Sequence, residues 1–148
     1  MNDNFFLYFD QMPTGTAQEK GYNSITKTYY KKPNVESASA KFRAALFPHR
    51  PKAPSTKPIR LIVIFSWQIK DKKLWGKYKA TRPDTDNYIK EFKDVMTKLK
   101  FWKDDAQVVD ERIIKTYSEK AFIFVAYEEL PEIADIRLLQ GVKYEKDH

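Results

Sequence analysis

The chain has 148 residues, a length that favours a single domain, and 42% of them are hydrophobic, which is enough for a sizeable core. Lysine and arginine number 27 against 20 acidic residues, and the resulting net charge of +7 favours a nucleic-acid partner. Because cysteine is absent and the two histidines are isolated, disulfides, thiolate metal sites and histidine-rich zinc sites are excluded. No signal peptide or membrane span is visible, so we expect a cytoplasmic protein whose partners include neither a membrane nor a nucleotide cofactor.

The N-terminal half predicts strands and one helix. Asn4–Phe9 is a short apolar run typical of a strand, and the tyrosines and lysines of Tyr22–Lys32 favour a hairpin over a base-stacking surface. Glu36–Phe47 predicts a helix that ends before Pro48. Ile59–Gln68 is rich in β-branched and aromatic residues, which predicts a buried central strand.

The C-terminal half predicts one long helix and two further strands. From Tyr88 to Leu99 apolar residues recur at helical spacing. Val108–Tyr117 and Lys120–Tyr127 predict two strands joined by a short turn, and Glu132–Gln140 predicts a final amphipathic helix. Together the elements predict an α+β fold in which one sheet packs against two or three helices, as a single domain over the whole chain.

A basic segment lies directly before the long helix. Lys70–Arg82 contains six lysines and arginines against one aspartate, together with Trp75 and Tyr78. We interpret it as an exposed loop that contacts DNA phosphates, which positions DNA without reading its sequence. The alternative is a solvated charge run that keeps the protein soluble. The candidate DNA-binding residues are Lys70, Lys72, Lys73, Lys77, Lys79 and Arg82.

Carboxylates flank the long helix at both ends. Asp84 and Asp86 follow Pro83, and Asp104 and Asp105 come after the helix. In an extended backbone, Asp84 and Asp86 point to the same side about 6.5 Å apart, which suits one cation or a close pair. Clustered carboxylates are costly to desolvate unless they are paired or bind a metal, and their hard oxygens suit Mg²⁺, Mn²⁺ or Ca²⁺. In a basic chain these acids predict a metal site that cleaves a polyanion.

The same residues also have purely structural interpretations. Asp86 is a good N-cap for the helix, where its charge meets the positive end of the helix dipole. Asp84 is then an exposed loop carboxylate. Lys90 follows Asp86 by one turn, so it is either a solvated lysine with a helical ion-pair partner or a cation that stabilises charge on a reacting phosphate.

The combined pattern closely resembles the RusA family of Holliday-junction resolvases, also called crossover junction endodeoxyribonucleases. Arg82–Asn87 supplies an Asp-x-Asp-Asn opening, Lys90 follows four residues after the second aspartate, and Phe101–Val109 supplies a Trp-x-Asp-Asp closing. Met12–Thr14 and Tyr30–Pro33 resemble a phage or Firmicutes branch of the family more loosely.

The resemblance implies both an activity and a site. Asp84, Asp86 and Asp105 correspond to the family's catalytic, metal-binding aspartates, and Lys90 to its catalytic lysine. The implied cofactor is Mg²⁺, which Mn²⁺ can replace. The implied protein is a two-fold homodimer with a mixed sheet that resolves four-way junctions and other branched DNA by paired symmetric nicks.

The geometry of one chain leaves a gap in this assignment. A helix of about 14 residues is about 20 Å long, so acids at its two ends do not meet directly. Either the Phe101–Asp104 loop folds back towards the start of the helix, or a second subunit supplies Asp105.

Other functions explain parts of the same pattern. Basic charge and aromatic residues fit a branched-DNA-binding protein without nuclease activity equally well, although a pure binder gains nothing from carboxylates that face phosphate. Asp84-x-Asp86 begins like an EF-hand loop, but the glycine required five residues after Asp84 is missing. A haloacid-dehalogenase-like phosphatase needs an apolar strand before its Asp-x-Asp, whereas Lys77–Arg82 is basic and polar.

Overall fold

The computed structural model describes residues 2–14, 20–23, 25, 28–31 and 37–134. These residues contain six strands and two helices: β1 (Asn2–Phe9), β2 (Lys20–Asn23), β3 (Thr28–Lys31), α1 (Ala38–Leu46), β4 (Ile59–Gln68), α2 (Thr85–Lys98), β5 (Val108–Ser118) and β6 (Ala121–Glu129). Short 3₁₀ turns occupy Phe47–His49, Lys72–Leu74 and Asp105–Gln107. The architecture confirms the predicted α+β class.

Four strands form one mixed sheet in the order β1-β6-β4-β5. Strand β6 is antiparallel to both β1 and β4, whereas β5 is parallel to β4. The predicted central position of Ile59–Gln68 is therefore confirmed, because β4 lies between two partners. Strands β5 and β6 follow each other after the short turn at Glu119 and Lys120, yet they flank β4 instead of pairing with each other.

Both helices pack on one face of this sheet. Alternate residues of β4 from Ile59 to Phe65 are fully buried, since side chains alternate across a strand. The ring of Phe92 in α2 lies edge-on to Phe65, with centroids 5.6 Å apart, and to Phe42 of α1, at 5.1 Å. Burying each such side chain contributes about 1.5–3 kcal/mol, so this aromatic seam holds the helices against the sheet.

The opposite face of the sheet exposes aromatic side chains. Phe6 and Tyr8 on β1 are 50% and 68% exposed. The ring of Phe6 contacts Phe124 of β6 with centroids 4.9 Å apart. Exposed apolar area of this kind is typical of a surface that binds other molecules.

The chain reverses immediately after α2. Lys100 has a φ of 68°, and the backbone N–H groups of Lys100 and Phe101 bond the carbonyls of Thr97 and Met96, which closes the helix with a left-handed residue. The Trp102 indole then donates to the Thr97 hydroxyl at 2.8 Å. Phe101 and Trp102 are fully buried, so the segment that follows is anchored against the helix end.

Several element boundaries differ from the sequence prediction, and most of one predicted helix lies outside the described residues. Helix α1 starts at Ala38 after the N-cap Ser37, whose hydroxyl accepts from Ala40 N. The hairpin predicted within Tyr22–Lys32 is present as the antiparallel pair β2 and β3. Of the helix predicted at Glu132–Gln140, residues 132–134 are not helical and the remainder falls outside the described residues. Across the described part of the chain, none of the helices has the length and apolarity needed to cross a bilayer.

Candidate active site

The basic segment ahead of α2 runs along the outer edge of β5. Gly76 N donates to the Tyr117 carbonyl at 2.8 Å, Tyr117 N to the Lys77 carbonyl at 3.0 Å, and Lys79 N to the Lys115 carbonyl at 2.9 Å. Gly76 has a φ of 82°, a conformation that favours glycine, where the chain turns into this alignment. The loop predicted from its charges is therefore tied to the sheet by its backbone.

Most of the predicted DNA-binding cations point into solvent. Lys70, Lys72, Lys73, Lys77 and Arg82 are exposed. Lys79 differs from them because its ammonium donates a hydrogen bond of 2.8 Å to the Thr81 hydroxyl. The same ammonium lies near two aromatic rings, 5.4 Å from the Trp67 centroid and 5.3 Å from the Tyr117 centroid. Five of the six candidates are thus exposed, although the Lys72 ammonium lies 5.9 Å from the Trp75 ring, and Lys79 is the most engaged within the protein.

Strand β5 holds the end of this segment through its side chains. The Lys115 ammonium donates to the carbonyl oxygens of Thr81 at 2.6 Å and Pro83 at 2.7 Å. The hydroxyls of Thr81 and Tyr117 lie 3.5 Å apart. The hydrogen bond with Thr81, followed by the positive charges of Lys79 and Lys115, lowers the pKa of the Tyr117 hydroxyl.

Asp84 and Asp86 lie at the start of α2, but not in the conformation expected from their spacing. Asp84 is extended, with φ −68° and ψ 144°, and is the N-cap, whereas Asp86 lies in the first helical turn. The prediction that Asp86 is the N-cap, and that both residues share an extended strand-like backbone, is therefore wrong. The helix starts earlier because the carbonyl of Asp84 already accepts from Tyr88 N, at 3.2 Å.

The Asp84 side chain makes no capping hydrogen bond, and both carboxylates are exposed. Their negative charges lie at the positive end of the α2 dipole, an arrangement that stabilises the helix. Two exposed carboxylates beside a basic loop present oxygen atoms of the kind that hard cations prefer as ligands.

Lys90 lies one turn beyond Asp86 and is exposed. In the next turn, the Lys93 ammonium lies 2.8 Å from a carboxylate oxygen of Glu111 on β5. This ion pair connects α2 to the strand that also carries Lys115. Sequence reasoning missed Lys93, Glu111 and Lys115, although one signal was present: charged residues alternate with Ile113 on the helix-facing side of β5, where apolar residues are expected.

Asp105 lies beyond the other end of α2 and opens the 3₁₀ turn that precedes β5. The Gln107 side chain fixes this turn: its oxygen accepts from Asp104 N at 2.9 Å, and its amide donates to the carbonyls of Ser55 at 2.9 Å and Lys57 at 3.0 Å. The Asp105 carboxylate is exposed.

Asp104, the neighbour of Asp105, has a capping role. Its carboxylate accepts from Ala106 N at 2.9 Å. That backbone hydrogen bond, followed by one with the Asp105 side chain, holds the pKa of Asp104 below its ordinary value. Of the two adjacent acids, Asp104 thus stabilises the turn.

Helix α2 separates the two acidic ends. Its 14 residues span about 21 Å, with Asp84 at the N-cap and Asp105 past the reversal that follows Lys98. Among the residues that the structure describes, no three His, Cys, Asp or Glu side chains are grouped so that they could hold a metal. The chain brings Asp84, Asp86 and Lys90 to one end of the helix, and the Phe101–Asp104 loop does not carry Asp105 back to them.

The comparisons with known proteins agree with the residue pattern. A family model described as "Endodeoxyribonuclease RusA" matches residues 10–128, a range that includes both ends of α2. The crossover junction endodeoxyribonuclease rusA of Lactococcus phage r1t is 36% identical over 134 residues, which cover 88% of this chain and all of that protein. The uncharacterized protein YqaN of Bacillus subtilis (strain 168) is 45% identical over 51 residues, 34% of this chain and 35% of that protein. This chain therefore belongs to the RusA family of endodeoxyribonucleases.

Proposed function

We propose that this protein is a metal-dependent endodeoxyribonuclease that resolves Holliday junctions and other branched DNA by paired, symmetric nicks. The observation that carries the proposal is the pair of exposed carboxylates, Asp84 and Asp86, at the start of α2 and directly after an exposed basic loop. The name of the phage relative, a crossover junction endodeoxyribonuclease, supports the same substrate class.

Asp84, Asp86 and Asp105 are the proposed ligands of Mg²⁺, and Mn²⁺ is the proposed substitute. The donor set fits, because carboxylate oxygens are the ligands that these hard cations prefer and the Asp84 carboxylate has no capping bond to give up. A cation held by these carboxylates would supply activation of a water molecule and neutralisation of charge on the phosphate.

The chain's own cations have separate roles in this proposal. The exposed lysines of the Lys70–Arg82 segment bind backbone phosphates and position the DNA. Lys90, one helical turn from Asp86, stabilises the charge that develops on the phosphate or orients the attacking water. The positive end of the α2 dipole adds to the attraction for anions.

In this proposal a second subunit completes the acid set. Since Asp84 and Asp105 flank opposite ends of α2, whose 14 residues span about 21 Å, we propose a two-fold homodimer in which Asp105 of one chain joins Asp84 and Asp86 of the other. Two-fold symmetry then creates two equivalent sites, which is the arrangement that two symmetric nicks require.

The primary test is cleavage of a synthetic four-way junction with Mg²⁺, with linear duplex of the same sequence as the substrate control. We expect paired nicks near the crossover from the wild type, and binding without cleavage from Asp84→Asn. Asp94→Asn is the matched control, because Asp94 is an exposed acid on the same helix. Binding without cleavage by the wild type under any divalent metal would instead support the alternative, a non-catalytic branched-DNA-binding protein.

Subunit mixing tests the origin of Asp105. We expect Asp84→Asn and Asp105→Asn each to be inactive as homodimers, whereas a mixed dimer keeps one intact site if Asp105 acts across the interface. Random exchange then restores about a quarter of the wild-type sites, seen as single nicks. If Asp105 acts within its own chain, both sites of every mixed dimer carry a substitution and no cleavage returns.

A further inference from the structure

A lysine of β5 reaches the backbone that leads into the acidic pair. The Lys115 ammonium donates to the Thr81 carbonyl at 2.6 Å and to the Pro83 carbonyl at 2.7 Å. The second acceptor belongs to the residue directly before Asp84. Two carbonyls two residues apart, bonded to one ammonium, constrain both the position and the direction of the chain at this point.

Residues 80–84, which join the end of the basic segment to α2, have few other contacts that hold them in place. Backbone pairing with β5 ends at Lys79, whose N–H bonds the Lys115 carbonyl. Of residues 80–84, Pro83 is half-buried and the other four are exposed to solvent. Lys115 thus holds this stretch from the same strand position at which the backbone pairing stops.

We propose that Lys115 is a positioning residue for the Asp84 carboxylate. It acts through the Pro83 carbonyl and does not touch the phosphate or the metal. The inference rests on the proposed function, since it assigns Lys115 to the geometry of that same site. A displacement of about 1 Å at a reacting group is enough to reduce the rate by about 100-fold, so a residue that fixes the Asp84 backbone has a kinetic consequence.

The effect of removing Lys115 differs between a positioning role and a DNA-binding role. If Lys115 only attracted phosphate, its loss would weaken junction affinity at every Mg²⁺ concentration. If it positions Asp84, its loss raises the Mg²⁺ concentration that gives half-maximal cleavage and leaves junction affinity unchanged. An arginine in its place retains the charge and several N–H donors, so it restores part of the Mg²⁺ response.

The test compares Lys115→Met, Lys115→Arg and the matched control Lys120→Met, which removes an exposed lysine from the turn after β5. For Lys115→Met we expect a rise of about tenfold or more in the half-maximal Mg²⁺ concentration, with the junction Kd within about twofold of wild type. Lys120→Met should match the wild type. A Lys115→Met protein with a wild-type Mg²⁺ response, or with weakened junction binding as its main defect, overturns the proposal.

Hydrogen–deuterium exchange on the free protein gives a readout that is independent of cleavage. We expect faster exchange of the amides of residues 80–86 in Lys115→Met, with unchanged exchange in β4 and β6. Uniformly faster exchange would mean a general loss of structure, and the comparison of Lys115→Arg with wild type then decides the question. If wild type cleaves no junction, the proposed function fails, while unchanged exchange at residues 80–86 contradicts the Lys115 assignment by itself.

Discussion

Some charged residues around α2 stabilise the fold through hydrogen bonds, whereas others make no such bond and are candidates for a catalytic role. Asp104 accepts a backbone hydrogen bond and caps a turn, whereas the Asp84 side chain has no such bond although its residue is the N-cap. An unused carboxylate at a position that normally caps a helix costs stability relative to a capping one. Lys90 is likewise exposed and has no stabilising role that we identify in the fold. Substitution of Asp84 or Lys90 therefore tests the proposed site directly.

Removal of the Lys90 charge should slow cleavage without loss of junction binding. Loss of one charged group that stabilises a transition state typically costs about 10²–10³ in rate, so we expect Lys90→Ala to fall in that range. Single-turnover cleavage at saturating enzyme is the measurement, with Lys98→Ala on the same helix as the control. Equal rates for the two variants would contradict a catalytic role for Lys90.

Buried tyrosines should make the protein sensitive to alkali. Burial raises the pKa of Tyr127 from 10.0 to about 12, with further contributions from Asp3 and Glu129, and burial also raises the pKa of Tyr88. Because the unfolded chain releases these protons first, the stabilisation is fully present below pH 10.0 and is lost as the pH rises through about 12 for Tyr127. Urea unfolding over this range should therefore show a shallower decline for Tyr127→Phe than for wild type. Tyr8→Phe, at a residue that is 68% exposed, should behave like wild type.

At the level of elements, β4, α2 and the parallel strand β5 form one βαβ unit, and this unit decides where the acids lie. The crossover from β4 to the parallel β5 sends the helix from one end of the sheet to the other. Asp84 therefore lies at the end where β4 finishes, and Asp105 lies at the end where β5 begins. The Lys93–Glu111 ion pair between helix and strand holds this unit together at its middle.

The turn that carries Asp105 depends on Gln107. Gln107→Ala removes hydrogen bonds to Asp104, Ser55 and Lys57, and we expect the free energy of unfolding to fall by about 1–3 kcal/mol. Gln107→Glu retains the acceptor but loses the donor, so its loss of stability should be intermediate. Chemical denaturation measures both. An unchanged stability for Gln107→Ala would mean that solvent replaces these bonds without cost.

On the scale of the whole molecule, the net charge of +7 is distributed unevenly. The exposed lysines of the Lys70–Arg82 segment lie next to the Asp84 end of α2, so DNA held by the basic loop, as we propose, would lie beside the carboxylates. The positive charge thus increases the local concentration of a polyanion at the place where a cation-binding site is proposed.

This distribution predicts a specific salt dependence of DNA binding. Substitution of Lys72 and Lys73 by glutamine should lower the slope of log K against log salt by about 0.9 for each lost phosphate contact on duplex arms. The control pair is Lys52→Gln with Lys98→Gln, two exposed lysines outside the basic loop. Fluorescence anisotropy on a labelled junction at several salt concentrations gives the slopes. Identical slopes for the two double variants would show that net charge alone governs binding.

The sequence by itself determined the features that depend on local pattern. Ile59–Gln68 was predicted to be a central strand because β-branched and aromatic residues fill it, and α2 because its apolar residues recur at helical spacing. The spacing of Asp84, Asp86, Lys90 and Asp105 was sufficient to indicate the family. These properties require no knowledge of which residues are distant neighbours.

Only the tertiary structure decided how those pieces are arranged in space. The pairing of β5 with β4 instead of β6, the alignment of residues 76–79 along β5 and the reach of Lys115 to Pro83 all join parts of the chain that are far apart in sequence. The N-cap at Asp84 depends on where the incoming loop is held. Asp105 remains at the far end of α2 because buried Phe101 and Trp102 anchor the reversal there. Contacts of this kind depend on packing and chain topology. Unlike helices and strands, they do not produce a periodic pattern of residues in the sequence.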